Sequence, residues 1–111
     1  MTTYTLKFLP RVRGQIQEAI ERTRKEYGDV KALEYAELIR RSLQDLTTNP
    51  FVRQLRPDIH PDARIMHIRR PGHDAAHLFL YRIQGQVVEI GRFRSDRMDL
   101  DSQVPPSWRR Q

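Results

Sequence analysis

The chain opens on an alternation. Tyr4, Leu6 and Phe8 interleave with Thr3, Thr5 and Lys7, the period-two pattern of a strand with one face on a core and the other in water. The period then changes. Val12, Ile16, Ala19, Ile20, Thr23 and Tyr27 recur at spacings of three and four and predict an amphipathic helix that Gly28 ends. Pro10 is expected in its first turn, where a missing N–H costs nothing. A second helix follows at once, with Asp29 as its expected cap. Its apolar stripe is Ala32, Tyr35, Ala36, Ile39, Leu43 and Leu46, and Asn49-Pro50 stops it. So short a link makes the two helices an antiparallel hairpin.

Residues 50–63 contain Pro50, Pro57 and Pro61 and read as a loop, with Phe51 and Leu55 expected to pin it to the core. Three strands follow, over 64–70, 76–83 and 87–93. Pro71-Gly72-His73-Asp74 turns the first into the second, and Gln84-Gly85-Gln86 turns the second into the third with its glycine in place. The tail from Arg94 is expected to hold one helical turn near Asp99, to be irregular from about residue 98, and to end regular structure at Pro105-Pro106. The predicted architecture is one α+β domain over residues 1–111. It has two layers in the order β-α-α-β-β-β, with the helix hairpin packed on one face of a mainly antiparallel sheet. The middle strand of the meander is apolar on both sides: Phe79, Tyr81 and Ile83 on one, Leu78 and Leu80 on the other. That is the mark of a strand buried twice. The helices cover one face. The other calls for the tail, a loop or another protein, with the tail favoured.

Composition narrows the class. The 111 residues suffice for one modest core. Cysteine is absent, which excludes disulfides, thiolate metal sites and thiol catalysis. No apolar run approaches a membrane span, and Met1-Thr2-Thr3-Tyr4 lacks the pattern of a signal peptide. A soluble cytoplasmic protein with no membrane partner is expected. Net charge is +6, with 17 Arg against 3 Lys, and residues 51–111 carry +4 of it. Guanidinium pairs bidentately with phosphate or carboxylate, so a basic surface suits nucleic acid or an acidic protein. A merely solvated surface accounts for the charge equally well.

Side chains that could do chemistry are few. His73-x3-His77 has a spacing that binds metal on a helix, but these two fall on a turn and a strand. No metal and no cofactor is expected. His67 and His77 are placed to face each other across adjacent strands. His77 could serve as a general base, although a polar residue on a sheet face is the stronger reading. Glu18, Glu21, Glu34 and Glu37 interleave with arginines as solvated helix surface. Paired carboxylates, a nucleophile elbow and a glycine-rich phosphate loop are all missing. What remains is arginine: Arg64, Arg69 and Arg70 on one strand, Arg82 ending another, and Arg92, Arg94 and Arg97 at the end of the last. Gathered on one edge, they would grip phosphates or acidic side chains. The bland alternative is a set of surface ion pairs with Asp96 and Asp99.

The run His77-Leu78-Phe79-Leu80-Tyr81-Arg82-Ile83, a glycine turn, Val88-Glu89-Ile90-Gly91-Arg92-Phe93, and then Asp96-Arg97-Met98-Asp99-Leu100 resembles the C-terminal half of ParE toxins. These belong to the RelE/ParE superfamily of bacterial type II toxin–antitoxin systems. The first strand, the helix hairpin and the Asn49-Pro50 break are similar too. Two departures stand out: Ser95 replaces a histidine common in ParE-like chains, and the turn from Arg70 to Ala75 is long.

The resemblance implies a toxin neutralised by a ParD-like antitoxin, whose acidic and partly disordered segment wraps around it in a hetero-oligomer. ParE-like members inhibit DNA gyrase by binding. RelE-like members cleave messenger RNA on the ribosome, which needs a base, a cation and an acid. His77, Tyr81, Arg82 and Arg92 are the residues available for that. His77 and Tyr81, however, share a face with core residues, and no lysine follows Lys31, so the ParE reading is preferred. Under it, Arg64, Arg92, Arg94 and Arg97 are expected to contact the target, and Leu78, Leu80 and Arg82 the antitoxin. A relic that only binds antitoxin is a third reading, and direct nucleic-acid binding is left open.

Overall fold

The computed structural model describes residues 3–69, 76–95 and 98–109. Its elements run β1 (Thr5–Phe8), α1 (Val12–Tyr27), α2 (Asp29–Thr48), a 3₁₀ turn (Pro50–Val52), β2 (Arg64–Arg69), β3 (Ala76–Gln84), β4 (Val87–Ser95) and two more 3₁₀ turns, Asp101–Gln103 and Pro106–Trp108. The sheet order is β1-β4-β3-β2. The meander is antiparallel, and β1 joins β4 in parallel, with Leu6 opposite Val88 and Phe8 opposite Ile90. The predicted fold class therefore holds: two helices pack on a four-stranded mixed sheet. Among the described residues no helix is long and apolar enough to cross a membrane.

Local departures from the sequence reading have simple causes. α1 begins at Val12, so Pro10 lies in the turn before it, and Arg11 takes the left-handed conformation at φ 81°. Asp29 is the first residue of α2 and not its cap. The link is Gly28 alone, at φ 92°, and the Asp29 carboxylate pairs with Arg24 at 3.2 Å. Its charge still favours the positive end of the helix. Phe51 and Leu55 do not pin the loop. They are 55% and 47% exposed, while Pro50 and Ala63 are buried. Phe51 instead meets the Tyr4 ring edge-on and the Arg64 guanidinium at 5.2 Å. The β3–β4 turn is the two residues Gly85-Gln86, with Gly85 at φ 60°, as a type II′ hairpin needs at its first position. Pro106 opens a 3₁₀ turn and does not end regular structure, because proline suits a first helical position. His67 and His77 are not opposite each other. His67 pairs with Leu78, and His77 with Ile68. The turn residues Pro71 to Asp74, which include His73, lie outside the described residues.

Two cores sandwich β3. The helix-side core joins Val12, Ala19, Tyr35, Ile39 and Leu46 to Met66, Ile68, Phe79, Tyr81, Val88, Ile90 and Phe93. The second core lies on the opposite face and joins Ile65, Leu78 and Leu80 to Ala63, Val104 and Trp108. The chain's own tail thus covers the second apolar face. A bulge in β4 makes room for it. Leu80 pairs with Arg92 and Tyr81 with Ile90, which leaves Gly91 between them. A side chain there would be obstructed: a Cβ on Gly91 would come within 2.7 Å of the Pro105 ring and 2.8 Å of the Trp108 ring. Glycine is what lets the indole lie on the strand.

Trp108 is the sole tryptophan, so its emission reports tail docking. Gly91→Val should lower stability by about 1–3 kcal/mol through overpacking. Trp108→Ala should cost about 3–5 kcal/mol. Denaturant titration measures both, and Gly91→Val should also red-shift the tryptophan emission. An unshifted, equally stable Gly91→Val variant would contradict the docked tail.

Candidate functional site

The residues singled out from sequence fall into three places. The first is the helix-side core. Tyr81 is 0% exposed, and its hydroxyl donates to the Pro50 carbonyl at 2.7 Å. Burial pushes its pKa up to about 12, against a smaller downward pull from Arg64 and Arg53. His77 Nδ1 shares a hydrogen bond with the Tyr35 hydroxyl at 2.9 Å. The imidazole stacks on Phe93, with ring centres 5.0 Å apart and planes 11° from parallel. Tyr81 is therefore built into packing, whereas His77 is half-buried, held at one ring nitrogen and one ring face. Arg64 belongs to this side as well: it donates to the carbonyls of Phe51 and Arg53 and lies over the Phe51 ring.

The second place is the footprint of the tail. Leu78 and Leu80 are 1% and 0% exposed beneath it, so these two residues, expected to meet an antitoxin, are not surface. Arg82 is taken too. Its Nε donates to Glu89 Oε1 at 3.0 Å, and its guanidinium lies 5.2 Å from the Trp108 ring centre. Glu89 is the hub of this arrangement. It is buried, yet it accepts from Arg82, from the Trp108 indole N–H at 2.5 Å, and faces Lys7 at 3.7 Å. A buried carboxylate needs such partners, because a charge taken out of water and left unpaired is costly. His60 adds a clasp, with Nε2 2.9 Å from the Trp108 carbonyl.

The third place is basic surface. Arg92 and Arg94 project to the tail side, opposite Leu80 and Leu78. Arg94 donates to Gln103 Oε1 at 3.1 Å, and Arg92 to the Gly91 carbonyl at 2.8 Å. Burial lowers the Arg92 pKa, and the neighbouring Arg94 and Arg11 cations lower it further. The guanidinium stays charged at any physiological pH. Three cations so close, one of them half-buried, favour an incoming anion. The structure thus joins Arg92 to Arg94 and adds Arg11, but puts Arg64 on the other face. Arg97 and Arg70 lie outside the described residues. Among the described residues no group of three metal-ligating side chains forms.

Sequence reading missed Glu89, Trp108, Arg11 and Gln15. Glu89 had a faint signal, an acid between Val88 and Ile90 in an otherwise apolar strand. Gln15 had another, an amide within the stripe of α1.

With that geometry in view, the family model for the ParE toxin of type II toxin–antitoxin systems, parDE, matches residues 6–100. The chain belongs to the ParE toxin family. Solved structures agree in fold. A chain of the chromosomal ParDE system from P. aeruginosa superposes with a TM-score of 0.67 at 18% identity, over 83% of this chain and 95% of that one. A free-state mutant of the E. coli toxin RelE gives 0.63 at 16% identity, over 93% and 95%. No curated protein matches this chain. In this ParE-family chain, then, the sheet bears one face built around His77 and Tyr81, a second sealed by Trp108, and a basic margin at Arg11, Arg92 and Arg94.

Two outcomes check this account. Glu89→Gln should destabilise by about 1–3 kcal/mol, since the amide keeps an acceptor but leaves Arg82 without its counter-charge. The second concerns alkali. The folded state holds Tyr81 neutral up to about pH 12, whereas an unfolded tyrosine ionises near 10. The stabilisation is thus fully present below pH 10 and is lost as pH rises from about 10 to 12. Tyr81→Phe should flatten stability against pH in that window, at a cost near neutrality of about 1 kcal/mol for the lost hydrogen bond. Identical alkaline profiles for both proteins would refute the burial of the phenol.

Proposed function

We propose that this ParE-family toxin acts in the cytoplasm by binding, with DNA gyrase as its target and a ParD-like acidic antitoxin as its neutralising partner. One observation carries the choice of binding over catalysis. Of the two side chains that could move a proton, one is sealed and the other is tied at one ring nitrogen, so they form no exposed acid–base pair. Tyr81 is buried, donates to a carbonyl and is held neutral; His77 is bonded to Tyr35 and stacked on Phe93. Arg82, which could steady a phosphate, is neutralised by Glu89. A ribonuclease that cleaves through the 2′-hydroxyl needs a base and an acid within reach of the substrate. The likeness to RelE supports the fold and does not supply those groups.

The basic margin fits the binding role. Arg11, Arg92 and Arg94 form a fixed cationic surface, and the +6 net charge would speed encounter with an acidic partner. Arg97 is proposed to extend this surface, and Arg64 to form a separate contact across the sheet edge.

Purified toxin should inhibit gyrase supercoiling and leave messenger RNA uncut in a translation-coupled assay. Arg92→Glu combined with Arg94→Glu and Arg97→Glu should abolish toxicity in cells, since like charges against an acidic target cost several kcal/mol. His77→Ala and Tyr81→Phe should remain toxic wherever thermal unfolding shows them folded. Loss of a catalytic acid or base would instead slow cleavage by roughly two to four orders of magnitude. A folded His77→Ala variant without toxicity, together with cut messenger RNA from the parent, would establish the RelE-like activity in its place.

A further inference from the structure

Where α1 meets the paired ends of β3 and β4 lies a cavity of about 220 Å³. Gln15, Glu18 and Arg22 line it from α1, and His77, Phe93 and Ser95 from the sheet. Gln15 is only 8% exposed, on the stripe that also buries Val12 and Ala19. Its Oε1 accepts the Phe93 backbone N–H at 2.8 Å. That bond fixes which way the amide faces. Nε2 is then left buried with no partner among the described residues. A buried donor without an acceptor is unfavourable, and natural interiors seldom keep one.

Arg22 stands two helical turns beyond Gln15, on the same side of α1. It is exposed, and none of the described carboxylates forms an ion pair with it. The cavity is thus bordered by Gln15, whose amide donor lies just beneath its surface, by Arg22, and by an aromatic wall of Phe93 stacked on His77. Glu18 lies between the two donors along the helix. Its carboxylate opposes any incoming anion, so the attraction has to come from the two donors. The volume falls below the roughly 300–1,000 Å³ of ordinary small-molecule sites, and suits one amino-acid side chain.

We infer that this cavity is an anchor pocket for a single acidic side chain of a polypeptide partner, held by Gln15 Nε2 and Arg22. The inference rests on the reading that this toxin binds an acidic polypeptide, to which it adds a specific point of attachment.

The test uses the full-length chain labelled with ¹⁵N. The side-chain amide signals of Gln15, assigned by their loss in Gln15→Glu, are followed during titration with three probes: acetyl-glutamate N-methylamide, acetyl-glutamine N-methylamide and glutarate. The glutamate probe should shift the Gln15 amide saturably, and the glutamine probe should bind about tenfold or more weakly, because hydrogen bonds to a charged acceptor are the stronger ones. Gln15→Glu keeps the acceptor for the Phe93 N–H but loses the donor, and should weaken the glutamate probe about tenfold or more. Its binding is followed by backbone shifts at Phe93. Arg22→Gln, at an exposed position that leaves folding alone, should weaken it severalfold and decides the matter if Gln15→Glu does not fold. An unmoved Gln15 amide, equal binding of the glutamate and glutamine probes, or unchanged affinity in Arg22→Gln would overturn the pocket. Glutarate binding tighter than the capped residue would overturn the polypeptide assignment in favour of a small dicarboxylate. None of these readouts depends on toxicity, so failure of the gyrase reading and failure of the pocket remain separate results.

Discussion

Strand β3 must be dry on both sides, and most of the molecule follows from that requirement. Phe79 and Tyr81 point to the helices while Leu78 and Leu80 point away. A two-layer domain of this size has one helical layer, so the second face needs another cover. The tail supplies it with Val104 and Trp108. For the indole to approach, β4 has to bulge and has to bear glycine at position 91. The bulge then turns Arg92 and Arg94 to the tail side, next to each other. The basic margin is thus a consequence of how the second core is closed.

The polar hub beneath the tail follows the same logic. An indole brings an N–H into an apolar layer, and that donor needs an acceptor. Glu89 provides it, and its charge in turn needs Arg82 and Lys7. Such a buried pair adds little net stability over an apolar substitute, but breaking it is costly. The network is better understood as fixing where the tail sits. Leucines alone would let an apolar strap slide, whereas a directed N–H to carboxylate bond has one geometry.

Sequence periodicity revealed the helices and the strand order in the chain because both cores are written in residues at regular spacing. The stripe of α2, from Ala32 to Leu46, is the clearest case, and the two-faced apolar pattern at Leu78–Ile83 already asked for a second cover. What stayed hidden depended on long-range pairing. The parallel join of β1 to β4 leaves no local mark. Nor does the union of Trp108 with Glu89, 19 residues apart, since a carboxylate in a strand normally reads as solvent-facing. Pairing register separated His67 from His77 and set Arg64 apart from Arg92. A slip of one residue decides such matters, and composition does not carry it. Residues such as Tyr81 were harder still. Whether a phenol is a catalyst or a strut depends on the Pro50 carbonyl 31 positions away.

The division of labour between the two faces bears on how a small fold can serve more than one activity. In a chain of 111 residues, few polar side chains can be both buried for stability and free for chemistry. His77 and Tyr81 lie at positions where a sheet could present them to a substrate. Here the Tyr35 hydroxyl and the Pro50 carbonyl have claimed both. Charge has moved to the margin, where Arg11, Arg92 and Arg94 repel one another and so remain responsive to an anion from outside. Proton transfer demands exact reach between a titrating group and its substrate. Recognition of an acidic surface demands only cations held in place. A sheet whose central strand spends its polar neighbours on closing two cores retains the means for the second task.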